Sequence, residues 1–220
     1  FDLLNTAFTV SGMCIVVEKD TQVEIPIRIL FISSGVRSIM VNPRVYIDVA
    51  KSSSLTFMEH HAGDAESFFQ NESVFISLEN NAQFNHIRIQ SNSEFTQNIA
   101  SININQDADS QYYFWQLVDG GKLGRSNICV QLNGENAQCY INSLALSKNN
   151  QHINKLESVC TCEVPGGDGY IKTTAVSPSG SVVAFGFESG VIVVGFVAAR
   201  PSPLKIKYDQ FVMKNTSNSG

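Results

Sequence analysis

The sequence has 220 residues, 43% of them hydrophobic and 16% charged, with a net charge of −5. That length suits one elongated domain with a continuous core, and Asn, Ser and Gln supply the polarity that charges do not, as fits solvated turns and stacked polar ladders. No basic stripe exists to neutralise phosphates, which excludes a nucleic-acid surface, and no apolar run reaches the ~18 residues that a membrane-spanning helix needs.

Taken in chain order, one turn recurs. It reads Asp20-Thr21-Gln22-Val23, then Ser52-Ser53-Ser54-Leu55, Asn81-Ala82-Gln83-Phe84, Asp109-Ser110-Gln111-Tyr112 and Asn136-Ala137-Gln138-Cys139. Its last residues fall at 23, 55, 84, 112 and 139, in steps of 32, 29, 28 and 27. Between the turns, Arg44–Val49, Ser73–Leu78, Phe84–Ile89 and Ser101–Asn105 alternate apolar and polar residues and are rich in Val, Ile and Phe. That period of two predicts strands with one apolar face. No window of about twelve residues carries helical periodicity. A constant period of about 28 residues holds two strands and two turns, and coils of that kind bury their apolar faces against one another. The fold class expected is all-β, a parallel β-helix of stacked coils. A sandwich would need closely spaced hairpin turns, and Asn133-Gly134 is the only Asn-Gly pair.

Candidate chemistry is sparse. The five cysteines are odd in number and irregularly spaced, which argues for a reducing compartment over a disulfide framework. Cys14, Cys129 and Cys139 lie in strand-like runs and read as small buried hydrophobes. Cys160 and Cys162 form a close pair, with His152 the nearest further ligand, but lack the second pair of a metal site. Glu59-His60-His61 resembles an acid–base or metal cluster. On a strand, however, only His61 shares a face with Glu59, and the reading taken is a surface-facing or core-satisfied histidine. Gly166–Gly169 and Ser177–Gly180 read as turns. No catalytic residue and no metal ligand is assigned.

Asn42-Pro43-Arg44-Val45 leading to Leu55–His60, the block Gly120–Asn127, Leu132–Ala137, Asn142–Leu146 and Gln151-His152 together resemble the SufB/SufD family of the Suf iron–sulfur cluster assembly system. The absence of a Gly-Glu-Gly at the strong block places the likeness nearer SufD, and Val23–Ile27 extends it more loosely towards the N-terminus. Residues 10–152 carry the resemblance, and 153–220 diverge within what is expected to be a single domain spanning 1–220. The family fold is a right-handed parallel β-helix, so the resemblance and the turn period agree.

The resemblance implies a non-catalytic scaffold subunit that pairs with a SufB-like subunit and works with the SufC ATPase, which the family holds on a helical C-terminal region not seen in this sequence. An iron–sulfur cluster would form transiently in the complex, with none held stably by this chain alone. The family's C-terminal Cys-Ser-His-Gly phrase is unmatched where Met213–Thr216 stand, so its interface histidine is carried onto no residue here. The setting implied is a bacterial cytoplasm or a plastid stroma. The chain opens on Phe1 without a basic leader, as a trimmed fragment would. Two other readings stay open: a carbohydrate-active or carbohydrate-binding β-helix, disfavoured because coil-equivalent positions carry Asn, Ser and Gln in place of paired carboxylates, and a degenerate family member that keeps only the fold. Thr173–Val197 looks like one propeller blade, but one blade cannot close a propeller, so three more β-helix strands or a foreign segment are expected there. A stack of coils ends in an unpaired sheet edge, and Leu204, Ile206 and Tyr208, on one face of a strand-like run, are the interface candidates for strand addition to the partner.

Overall fold

The computed structural model describes residues 1–146 in full and, beyond them, the backbone at 147, 152–153, 157–164, 167–169, 171–176, 182–187, 192–196 and 205–214. A short helix, α1 (Asp2–Phe8), precedes five coils. The first coil contributes β1 (Gly12–Val17) and β2 (Ile27–Ser33). The second has β3 (Ile39–Val41), β4 (Arg44–Val49) and β5 (Ser54–Gly63), and the third β6 (Phe68–Leu78) and β7 (Gln83–Asn92). The fourth has β8 (Thr96–Gln106) and β9 (Gln111–Asp119), the fifth β10 (Leu123–Leu132) and β11 (Gln138–Ser147). Equivalent strands stack in parallel into two long sheets, one running β1-β4-β6-β8-β10 and the other β2-β5-β7-β9-β11. The result is the parallel β-solenoid expected from the turn period.

The recurrent turn is a left-handed corner. Its first residue, Asp20, Ser52, Asn81, Asp109 or Asn136, has φ between 58° and 61° in every coil. Short polar side chains tolerate this region best among non-glycine residues, which explains the Asp, Asn and Ser at that position. Corner amides donate to the next coil: Ser52 to the Asn80 carbonyl at 3.0 Å and Asp109 to that of Glu135 at 2.8 Å. From the second coil onwards the following residue points inwards, and Ser53, Ala82, Ser110 and Ala137 are all buried, whereas Thr21 in the first coil is exposed. Because Ala137 is wholly enclosed, Ala137→Leu is expected to overpack the corner and cost about 1–3 kcal/mol. A denaturant titration giving an unchanged midpoint would refute this.

Near the corners the interior is apolar. Val45, Ile47, Val74, Ile76, Ile102, Ile104, Ile128 and Val130 of one sheet face Leu55, Phe57, Phe84, Tyr112, Phe114 and Ile141 of the other. Towards the opposite turns it becomes polar, with Glu59, His61, Gln70, Glu72, Arg88, Gln90, Asn98 and Gln116 all buried. The helix α1 was not visible in the sequence pattern, since seven residues make only two turns. Packing and polar contacts hold it: buried Asn5 donates through its amide to the carbonyls of Asn71 at 2.8 Å and Pro43 at 3.0 Å. The helix lies against β6, which buries five consecutive residues from Gln70 to Val74 in place of alternating.

Past the fifth coil come β12 (His152–Ile153), β13 (Glu157–Val164) and β14 (Gly167–Gly169). Gly167–Gly169, expected as turn, pairs antiparallel with β13. β15 (Ile171–Val176), β16 (Val182–Phe187) and β17 (Ile192–Phe196) form their own antiparallel sheet. This corrects the expectation of further coil strands there. Serial antiparallel neighbours joined by short connections need no crossover, whereas coil strands do. Finally β18 (Lys205–Lys214) pairs antiparallel with β11 and is the terminal strand of its sheet.

Candidate functional site in the solenoid interior

Glu59 and His61 lie two apart on β5, so the strand period turns both inwards while His60 faces out. The β5–β7 register sets Glu59 beside Arg88 and Phe57 beside His86. Across the interior, β6 brings Gln70 and Glu72 to the same level. The Arg88 Nη1 donates to Glu59 Oε1 at 2.7 Å and to Glu72 Oε2 at 2.6 Å, and its Nη2 donates to Asn98 Oδ1 at 3.2 Å. His86 Nε2 sits 2.8 Å from Glu59 Oε1, and its Nδ1 lies 2.9 Å from the Tyr112 hydroxyl. The consistent assignment has Tyr112 donating to Nδ1 and Nε2–H donating to the carboxylate. His61 Nε2 is 3.4 Å from Glu59 Oε2 and 3.6 Å from Glu72 Oε2, within charge contact but beyond an aligned hydrogen bond. Its Nδ1 is 2.9 Å from the Gln70 amide, and its ring stacks on Phe31 at 4.6 Å.

Burial opposes both carboxylate charges, and the neighbours decide the outcome differently. At Glu59, Arg88 and His86 overcome burial and hold the carboxyl well below its ordinary value. At Glu72, burial reinforced by the Glu59 charge outweighs Arg88, and the pKa is raised. Glu72 is therefore the group that keeps a proton longer. Arg88 is itself buried, but the two carboxylates raise its pKa and secure its charge. Tyr112 is pushed well above its ordinary value, first by burial and then by neighbouring Cys139 and Glu59, so it stays a neutral donor. On the outer face, burial and then Arg28 lower the His60 pKa, and its ring nitrogens meet Arg28 at 3.0 Å and Ser91 at 2.9 Å.

The sequence reading singled out Glu59-His60-His61 and correctly split the two histidines by face. It missed Glu72, His86 and Arg88. The turn period carried part of that signal: the step of 29 from Leu55 to Phe84, added to 59, gives Arg88. Cys14 is exposed, Cys129 half-buried and Cys139 buried, with burial raising the Cys129 thiol. Of the interface candidates, Ile206 and Tyr208 register against Leu146 and Leu144 on the terminal strand β18. Leu204 lies outside the described residues, as does Ser177–Gly180.

The sequence profile of the SUF system FeS cluster assembly SufBD core domain matches residues 31–195. The chain belongs to the SufBD core family. That match runs past His152, where the phrases read from the sequence end. Among curated proteins, the chain is 28% identical over 163 residues to Protein ABCI7, chloroplastic, of Arabidopsis thaliana, covering 70% of this chain and 34% of that protein. It is 30% identical over 138 residues to an iron–sulfur cluster assembly SufBD family protein of Synechocystis, covering 58% of the chain and 30% of the relative. It is 29% identical over 131 residues to the iron–sulfur cluster assembly protein SufD of Escherichia coli, covering 57% and 31%. The chain thus spans about a third of the length of the curated relatives it matches. No solved structure gives a significant match. Within the SufBD core, the Gly120-Gly121 step closes β9 with φ of 132° and 82°. A Cβ on Gly120 would sit 2.2 Å from the Asn92 carbonyl oxygen, so the family-like block requires glycine for close approach of two coils. That family is described as a core domain of the SUF system of iron–sulfur cluster assembly. Among the described residues no helix is long and apolar enough to cross a membrane.

Proposed function

We propose that this chain is the β-helical core of a SufD-type scaffold subunit that pairs with a SufB-like subunit and works with the SufC ATPase. In this reading it performs no catalysis, and the cluster forms transiently in the complex without resting on this chain alone. Its setting is a bacterial cytoplasm or a plastid stroma, in keeping with relatives named as chloroplastic and bacterial. The observation that carries the reading is the family match over residues 31–195.

The pairing surface proposed is the outer edge of β18. It ends its sheet, and its backbone register against β11 is continuous from Lys205 to Lys214. An edge strand offers a row of donors and acceptors that a partner strand can extend, and an added lysine is a natural means of blocking such pairing. Ile206→Lys is expected to weaken capture of the SufB-like partner about tenfold, or ~1.4 kcal/mol, while circular dichroism of the remaining coils is unchanged. Calorimetry giving the parent affinity would move the interface to a lateral face of the solenoid.

A further inference from the structure

We propose that Glu59, His61 and Glu72 hold one first-row divalent cation, of the class of Mn²⁺, Fe²⁺ or Zn²⁺, inside the solenoid. One ligand atom from each residue can be chosen so that all lie within 4.8 Å of one another. Glu59 Oε2, His61 Nε2 and Glu72 Oε1 are fully buried without a hydrogen-bond partner. Buried polar atoms are nearly always satisfied, so an unpartnered atom on each of these three side chains marks a place suited to a further group. The separations suit a metal. Bonds of ~2.0–2.1 Å in a tetrahedral site place ligand atoms about 3.3–3.4 Å apart, and His61 Nε2 stands 3.4 Å from Glu59 Oε2 and 3.6 Å from Glu72 Oε2, the oxygen that also accepts from Arg88.

The surroundings resemble the outer shell of a metal site. Arg88 and His86 occupy the far oxygen of Glu59, and Arg88 also holds one oxygen of Glu72, so both carboxylates are fixed in orientation. A ligating histidine ordinarily donates its other ring N–H to a carbonyl. Rotating the Gln70 amide by half a turn would set its oxygen against Nδ1–H of His61 and leave the Nε2 lone pair facing the carboxylates. Two carboxylates and one imidazole favour borderline divalent ions over Ca²⁺ or Mg²⁺, which prefer oxygen alone, and over thiophilic Cu⁺. On the Gln70 side lies a cavity of about 430 Å³, lined by Phe31, Met40, Phe68 and Gln70 itself. The neighbouring Arg88 cation weakens the site, which sets the expected affinity nearer micromolar than picomolar. The sequence reading weighed Glu59 with His60 and His61 as a metal or acid–base cluster but assigned no ligand, and Glu72, on another strand, was not among the residues it considered.

The inference is independent of the pairing proposal, since it is read on this chain without a partner. The chelator-stripped chain is titrated anaerobically with Co²⁺, then competed with Zn²⁺ and Fe²⁺. One cobalt per chain is expected, with ligand-field bands of mixed nitrogen and oxygen donors and no thiolate charge transfer. His61→Gln, which can still hydrogen-bond in the interior, should lower affinity at least tenfold, whereas Cys160→Ser with Cys162→Ser should leave it unchanged. Where the histidine variant does not fold, isotope-labelled histidine in the parent chain gives the answer: Co²⁺ should shift the ring resonances of His61 and His86 ahead of those of His60 and His152. Substoichiometric binding, unchanged affinity in folded His61→Gln, or shifts confined to His60 and His152 would each overturn the proposal.

Discussion

Arg88→Met is expected to destabilise the chain by about 3–5 kcal/mol, the cost of leaving buried carboxylates without their cation. Arg88 is wholly enclosed, and one of its nitrogens bridges Glu59 at 2.7 Å and Glu72 at 2.6 Å. Methionine fills much of the volume, so little of the loss comes from a cavity. The charge argument also gives a pH signature of definite sign. In the parent, Glu59 has a depressed pKa, so its contribution is present above the unfolded value and lost as pH falls through the folded one. Without Arg88, burial governs both carboxyls and raises them. A raised carboxyl contributes fully below its unfolded value and loses that contribution as pH rises through the folded one. The variant should therefore be most stable in mild acid and weaken towards neutrality. Adding Glu59→Gln and Glu72→Gln should recover more than half of the loss, because removing all three charges leaves no unpaired ion. Chemical denaturation at neutral pH and at about pH 5, near the unfolded glutamate range, tests both statements. A loss that neither acid nor the amides relieve would assign Arg88 a packing role.

The outcome shows which features a sequence exposes. The corners were legible because left-handed geometry restricts residue choice: Asp, Ser or Asn at φ near 60° must recur where the chain turns. The strands were legible through their period of two, although β6 and β8 run longer than the alternating cores Ser73–Leu78 and Ser101–Asn105. The interior cluster was only half legible. Glu59 and His61 share a face by spacing alone, and the turn period relates Glu59 to Arg88. Glu72 reaches them across the interior from the opposite sheet, a distance that no sequence period encodes. An arginine and two glutamates also carry a strong prior for the surface, which only the packed register reverses. Helix α1 is short and held by Asn5 contacts, so periodicity had no purchase on it.

Gly63→Ala should be the most damaging single methyl addition in the described coils, at about 3–5 kcal/mol when backbone strain and overpacking combine. Gly63 ends β5 with φ at 148°, and a Cβ there would lie 1.8 Å from the Ser33 carbonyl oxygen and 2.4 Å from its hydroxyl. The absence of a side chain also has a structural use. Asn92, one coil further on, reaches past Gly63 to donate to the Ser33 hydroxyl at 3.3 Å, a link across 59 residues of sequence. A methyl group would enter that path as well as collide with the neighbouring backbone. The comparison is Gly35→Ala. Gly35 also has a positive φ, 103°, but nothing lies within 4 Å of a Cβ placed on it. It should suffer strain alone, about 1–2 kcal/mol. If denaturant midpoints fall equally in the two variants, close approach of the coils contributes nothing and only the dihedral matters. A much larger loss at Gly63 would mean that the spacing between successive coils, set where the chain leaves the polar half of the interior, is rigid enough to reject one carbon atom. The same rigidity would hold the carboxylates and His61 at fixed separations.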